Sequence, residues 1–159
     1  MLNTESELMT LRTKIRLEEK LATIQTTIAK KNLESGKALD NSGDWHDNAA
    51  RDVIFQELQV LGEMEQTIQK YLENPKIISL REDVSTVGIG NTLDIIYNGE
   101  KNAERLTILG VPDGMTDDSW ISYKSPLAQE LLGKKIGEQI IIPPNQVVTL
   151  LNILVGEFE

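Results

Sequence analysis

The sequence predicts an α+β protein, an N-terminal antiparallel two-helix coiled coil followed by a small antiparallel β domain with one short helix. Three observations carry this reading. Between Met1 and Asn74 there is no proline, and the only glycines are Gly36, Gly43 and Gly62. Within that stretch two heptad seams mirror each other about a centre near residue 44. After Pro75 the texture changes to short β-like runs separated by turn signals. The division is set there: a hairpin over residues 1–75 with an acidic tip near 43–48, then a domain over 76–159.

The second helix shows the seam most plainly. Ala50, Ile54, Glu57, Leu61, Met64, Ile68 and Tyr71 alternate steps of four and three, and all but Glu57 are apolar. Upstream, Leu17, Leu21, Ile24, Ile28, Lys31, Ser35 and Ala38 step in the same alternation. Pairing Leu17 with Tyr71, Leu21 with Ile68, Ile24 with Met64 and Ile28 with Leu61 gives residue numbers adding to 88 or 89. The rule continues outward through Lys31 with Glu57, Ser35 with Ile54 and Ala38 with Ala50. A constant sum is what an antiparallel hairpin requires. The acidic intruder of one seam falls opposite the basic intruder of the other.

Asp40-Asn41-Ser42-Gly43-Asp44 is turn chemistry, and Asp44 or Asp47 can cap the second helix. Leu8, Leu11 and Ile15 repeat at helical spacing on the face opposite Leu17 and Leu21. Their mirror partners fall beyond Asn74-Pro75, where the second helix has ended. The start of helix one is therefore expected to pack on the C-terminal domain. Residues 44–71 span roughly 40 Å at 1.5 Å per residue, far more than a core needs.

In the second half the expected strands are Ile77–Leu80, Thr92–Tyr97, Leu106–Leu109, Gln139–Ile142 and Val147–Leu154. Asn98-Gly99 is a tight-turn dipeptide. Ser125-Pro126 reads as an N-cap with proline at the first helical position, opening a helix Pro126–Leu132 that Gly133 ends.

Charge and composition exclude several roles. The net charge is −9, with the excess of acid in residues 41–159, so the chain should repel nucleic acid and has no independent sequence-specific DNA binding to offer. Cysteine is absent, which removes thiolate and disulfide chemistry. The N-terminus has neither the basic region nor the apolar run of a signal peptide, and no apolar stretch approaches a membrane span. A cytoplasmic protein without a membrane role is the expectation.

Gly43-Asp44-Trp45-His46-Asp47-Asn48-Ala49 is the most unusual segment. A solvated, capped turn explains most lone acidic pairs. Here the pair ends a long stalk, and Trp45 lies beside it where no core exists to bury it. Asp44 and Asp47, three apart, can project on one side and share a divalent cation. Two carboxylates make an incomplete Mg²⁺ site, which points to a site completed by a partner. His46, the only histidine, has no evident nucleophile to serve. Lys134-Lys135 reads first as a solvated turn, and Gly88-Ile89-Gly90 lacks the third glycine of a dinucleotide loop.

These residues resemble the Gre family of bacterial transcript-cleavage factors. That family's tip motif, Gly-Asp-Leu-x-Glu-Asn-Ala-Glu-Tyr, reads here Gly43-Asp44-Trp45-His46-Asp47-Asn48-Ala49-Ala50-Arg51. Its second hallmark is matched by Ile121-Ser122, Ser125-Pro126, Leu131 and Gly133-Lys134-Lys135 through Gly137. The resemblance implies an FKBP-like C-terminal fold, similar to FK506-binding proteins. It implies a monomer whose partner is bacterial RNA polymerase, with the hairpin in the secondary channel and the nascent RNA 3′ end near the tip.

Asp44 and Asp47 would there help hold the Mg²⁺ of the polymerase active centre, the chain having no cofactor of its own. The polymerase would hydrolyse a backtracked transcript, so this chain is expected to stimulate an enzyme and not to be one. Trp45, His46, Asn48 and Arg51 become tip contacts. Ser125, Pro126, Lys134 and Lys135 become candidate docking residues. Asp47 stands where the family has Glu, Trp45 where it has Leu, and Ala50-Arg51 where it has Glu-Tyr. The alternative is therefore a divergent paralogue that occupies the channel and inhibits or modulates without cleavage. A prolyl isomerase is a third reading, for which the domain offers only Tyr97, Trp120, Tyr123 and Phe158 as pocket aromatics.

The register is directly testable. Cysteine pairs at Ile24/Met64 and at Leu21/Ile68 are expected to oxidise readily to intramolecular disulfides. A Leu21/Leu61 pair, seven residues out of register, is expected not to. Comparable crosslinking of all three pairs refutes this register of the hairpin.

Overall fold

Thr10 begins the regular helical structure of the chain, and its side chain explains why. The Thr13 N–H donates to the Thr10 hydroxyl at 3.2 Å, while the Lys14 N–H donates to the Thr10 carbonyl at 3.0 Å, the geometry of an N-cap. The computed structural model describes residues 6–41 and 48–158. In order these form β1 (Glu7–Met9), α1 (Leu11–Asn41), α2 (Asn48–Glu73), β2 (Pro75–Ile77), β3 (Asn91–Tyr97) and β4 (Glu104–Leu109). A 3-10 turn (Asp113–Met115), β5 (Trp120–Ser122), α3 (Pro126–Leu131), β6 (Gln139–Ile142) and β7 (Gln146–Val155) follow. The chain divides into two compact units, Ile15–Glu73 and Met1–Lys14 with Asn74–Glu159.

The helical unit is an antiparallel pair. On α1 the half-buried or buried positions include Leu17, Leu21, Ile24, Ile28, Lys31 and Ser35, the seam that the alternation predicts. On α2 they include Ile54, Leu61, Met64, Ile68 and Tyr71. Ile24 and Ile68, on adjacent levels of this seam, are each only 5% exposed and are its most buried residues. Across the seam Lys31 pairs with Glu57, and the Gln25 side-chain amide donates to Glu65 at 2.9 Å. Glu57 itself is exposed, and Leu58 beside it is half-buried, so the seam is slightly rotated where the charge enters. Ala38 and Ala50 lie where no side chain is described.

In the other unit a five-stranded sheet runs in the order β5-β4-β3-β7-β6. Burial alternates along the middle of β7, where Val148 and Leu150 are buried, whereas β4 is buried continuously from Leu106 to Leu109. Leu93, Ile95, Leu106, Ile108, Val148, Leu150 and Ile153 form the buried layer, with Ala128 and Leu131 of α3 in the same cluster. A second cluster joins Ile78, Leu109, Trp120 and Phe158, with Leu8 packed against it. On the sheet, Arg105 lies directly across from Asp94, donating through Nε at 2.8 Å and Nη2 at 3.1 Å.

Several expectations are corrected. The sheet is mixed and not purely antiparallel: β5 joins β4 in parallel, pairing Thr107 with Trp120 and Leu109 with Ser122. A three-residue strand without alternation leaves no period to read. The strand expected at Ile77–Leu80 is instead Pro75–Ile77, which pairs in parallel with β1. Leu8 lies in β1 and not on a helix, and Leu11 and Ile15 are exposed. The contacts of this end with the domain come from Leu8, packed against the second cluster, and from Met9, Thr10 and Thr13, all buried. Gly99 adopts φ +93°, and the Glu100 N–H donates to the Tyr97 carbonyl at 3.0 Å. Pairing of β3 with β4 nevertheless starts only at Ile95–Glu104, so the loop is longer than a two-residue hairpin. Helix α3 stops at Leu131, with Leu132 as its C-cap.

The junction of β1 with the domain is held by Asp113, whose side chain has no exposed surface. It accepts from the Thr10 N–H at 3.1 and 3.2 Å, the Thr10 hydroxyl at 2.8 Å and the Gly110 N–H at 3.0 Å. A Cβ at Gly110 would sit 1.7 Å from the Leu8 carbonyl oxygen. Arg12 lies 5.8 Å from the Trp120 ring centroid, a further tie in the first turn of α1.

Two outcomes follow for stability. Asp113→Asn leaves buried N–H donors facing an amide and is expected to cost about 2–4 kcal/mol in urea unfolding of the β domain. Gly110→Ala should remove hydrogen-exchange protection from the amides of β1 and β2 first. Separately, the Arg105 guanidinium holds the Asp94 carboxyl below the usual carboxylate range, against the opposing effect of burial. A depressed folded pKa stabilises above the unfolded value and is lost as pH falls through the folded one. The stability gap between wild type and Asp94→Asn should therefore be full at pH 6 and close as pH falls below the ordinary carboxylate range and through the lowered folded value.

Candidate functional site

Helix α1 ends at Asn41 and α2 begins at Asn48, so six residues join the two helices. Those six include Asp44, Trp45, His46 and Asp47, which lie outside the described residues. Asn48 is the first residue of α2, and Arg51, one turn further, is exposed. Along α2 the helical rise puts Asn48 about 35 Å from Tyr71. The link between the helices is thus far along the hairpin from its most buried residues, Ile24 and Ile68. Reach is what this arrangement supplies.

The seam changes character on the way. Near its base the buried and half-buried positions are apolar, Leu17, Leu21, Ile24 and Ile28 on α1 and Leu61, Met64, Ile68 and Tyr71 on α2. Beyond that Lys31 pairs with Glu57, and Ser35 and Ile54 are half-buried. Exposed hydroxyls along α1 are satisfied by the helix itself, Thr23, Thr26 and Thr27 each donating to the carbonyl four residues back.

The second set of candidate residues flanks α3. Ser125 is the N-cap, with extended backbone, and its hydroxyl accepts from the Ala128 N–H at 3.2 Å. Pro126 occupies the first helical position, where no N–H is needed. Both residues are explained by starting the helix. Gly133 and Gly137 take φ +81° and +88°, which explains the glycines that bracket Lys134-Lys135. The Lys134 carbonyl accepts from the Val87 N–H at 2.9 Å, and the Lys135 N–H donates to Glu138 Oε2 at 2.5 Å. The backbone of this pair is therefore structural. Its ammonium groups stand on a half-buried and an exposed residue respectively.

The aromatics of the domain are divided between two cores. Trp120 and Phe158 are buried in the smaller cluster, and Tyr97 and Tyr123 pack against the larger one. They do not converge on one ligand, which removes the argument for an isomerase pocket from them. The residues that sequence reasoning missed are Thr10, Thr13 and Asp113, because nothing local marks an acid whose Thr10 donors lie 103 residues away. Among the described residues no group of three or more His, Asp and Glu is arranged to hold a metal ion. No described helix is long and apolar enough to cross a membrane.

Comparison with known proteins bears on both halves. Residues 82–154 match the family model described as transcription elongation factor, GreA/GreB, C-terminal. Transcription elongation factor GreA of Halalkalibacterium halodurans is 31% identical over 135 residues, covering 84% of this chain and 85% of that protein. GreA of Bacillus subtilis is 29% identical over 134 residues, covering 84% and 85%. Among solved structures, GreA factor homolog 1 (Gfh1) of Thermus thermophilus superposes with a TM-score of 0.45 at 16% identity, covering 94% of this chain and 99% of that one. With a relative 31% identical over 84% of this chain and residues 82–154 matched by the family model, the chain belongs to the GreA/GreB family of transcription elongation factors.

Proposed function

We propose that this chain binds bacterial RNA polymerase by inserting its hairpin into the secondary channel, and there stimulates cleavage of backtracked transcripts. One observation carries the reading. In a member of this family, an antiparallel hairpin joins its helices through a six-residue link that holds Asp44 and Asp47. The two carboxylates contribute charge and position toward the second Mg²⁺ of the polymerase, next to the RNA 3′ end. A weakly held second cation limits hydrolysis in a two-metal centre, and added carboxylates raise its occupancy. The nuclease chemistry belongs to the polymerase, so the chain acts as a monomeric cytoplasmic factor and not as an enzyme. Trp45, His46, Asn48 and Arg51 are the neighbouring tip contacts. Docking falls to the domain, with Ser125, Pro126, Lys134 and Lys135 as candidates.

The composition of the tip favours a second reading. Asp47 is one methylene shorter than the family's Glu, and Ala50-Arg51 replaces Glu-Tyr. A tip that enters the channel but fails to hold the cation inhibits or modulates the polymerase without cleavage.

A cleavage assay on stalled, backtracked elongation complexes separates the two. On the first reading Asp44→Asn cuts the cleavage rate by two to three decades, about 3–4 kcal/mol, with affinity nearly unchanged. Raising Mg²⁺ partly rescues it, and Asp47→Glu increases cleavage above wild type. Slowed elongation with no cleavage at any Mg²⁺ concentration establishes the inhibitory reading instead.

A further inference from the structure

The level of the hairpin where Lys31 meets Glu57 has a use beyond stability. We propose that Lys31 and Glu57 are positioning residues, a charged pair on the seam that locks the register of the two helices and so fixes which residues occupy the link between them. The inference rests on the proposed reading only for its consequence at the polymerase. The register itself is a property of the hairpin alone.

An apolar seam is a weak register mark, because aliphatic residues tolerate one another in several alignments. Here the neighbouring levels are Leu21/Ile68, Ile24/Met64 and Ile28/Leu61, among which a heptad slip exchanges one aliphatic contact for another. The charged level does not tolerate the exchange. Slipping one heptad in one sense puts Lys31 against Met64 and Glu57 against Ala38. Slipping in the other puts Lys31 against Ala50 and Glu57 against Ile24, the most buried residue of α1 within the hairpin. Both slips separate the charges, and the second pushes a carboxylate against one of the most buried residues of the seam. In the observed register the two groups pair, and both are partly exposed, so neither bears a full desolvation cost.

The consequence for the link is geometric. A heptad slip slides one helix past the other by about 10 Å, and the turn must then migrate by half of that, about 5 Å along the hairpin. Asp44 and Asp47 would move from the link toward one of the helices. Misplacement by 1 Å can already cost about a hundredfold in a positioned reaction. A partly exposed ion pair contributes little free energy, but what it discriminates against is large.

The chain has no cysteine, so introduced pairs report register without background. Ile28→Cys is combined in turn with Leu61→Cys (the observed register), Ile54→Cys and Ile68→Cys (the two slips), and oxidised under identical conditions. With Lys31 and Glu57 present, only the Leu61→Cys partner is expected to crosslink efficiently. Lys31→Glu should raise the slipped products by about three- to tenfold relative to it, and adding Glu57→Lys should restore the original ratio. Lys31→Met with Glu57→Met should raise the melting temperature and still release the slipped products, which a merely stabilising pair would not do. An unchanged ratio in Lys31→Glu, or a single register in the double-Met variant, overturns the inference. In the backtracked-complex assay, Lys31→Glu should lower cleavage about twofold, in step with the fraction lost from the observed register, and recover it with Glu57→Lys. Altered crosslinking with unaltered cleavage overturns the positioning role. If the wild type has no effect on backtracked complexes, it is the proposed function that fails, and crosslinking alone decides the register.

Discussion

A carboxylate with no access to water is a liability until its lone pairs are filled, and Asp113 is such a group. Its four donor contacts come from Thr10 and from Gly110. The Thr10 hydroxyl that donates to Asp113 also accepts from the Thr13 N–H, so one side chain both satisfies the acid and starts α1. Gly110 serves twice as well, donating its N–H to the acid and leaving room for the Leu8 carbonyl where a Cβ would stand. The end of β4, the 3-10 turn, β1 and the start of α1 are therefore one knot. Removing any strand of it leaves a buried polar group without a partner, which is costly in a way that losing a surface contact is not. Around the knot the smaller cluster of Ile78, Leu109, Trp120 and Phe158 excludes water and makes the pairing obligatory.

What was legible in the sequence follows from the range of the physics behind each feature. The helical seams were readable because a period repeated over seven positions averages out single exceptions, and the mirror rule added a check between distant segments. The longer strands β3, β4, β6 and β7 were readable within a residue or two, since each is long enough to show its β-branched texture. Ser125-Pro126 and Gly133 were readable because capping is local. β1, β2 and β5 were not, because three residues hold no period and their pairing partners are remote. Glu7 pairs with Pro75 only once the whole hairpin intervenes. The role of Asp113 was hidden for the same reason. Asp44 and Asp47, which the sequence names, lie outside the described residues, and the structure adds the helix ends at Asn41 and Asn48.

The hairpin divides its labour along its length. Fully burying an isoleucine stabilises by about 1.5–3 kcal/mol, and Ile24 and Ile68, on adjacent levels, each supply that. The Lys31–Glu57 level contributes about 0–1 kcal/mol, since both partners remain partly in water. Cohesion thus resides near the base and alignment further out. A uniformly aliphatic seam would be more stable and less definite about where the turn falls.

On the proposed reading this economy extends to the chemistry. Mg²⁺ prefers six oxygen ligands and gives up its waters reluctantly, so two aspartates three residues apart cannot hold it usefully by themselves. Their weakness alone is consistent with a factor that must not retain the cation when it leaves. What the hairpin adds is local concentration and aim, which are worth far more than affinity when the remaining ligands are already fixed in the partner. Binding and chemistry are then set by different residues. The domain and the stalk determine whether the chain enters the channel, while the length of one acidic side chain determines what happens there. Asp47 lies at that division. Shortening a ligand by one methylene leaves its charge intact but withdraws its oxygens by more than 1 Å, enough to turn a ligand into a distant counter-charge. A family member can thus pass from activator to inhibitor with its fold, its register and its docking unchanged.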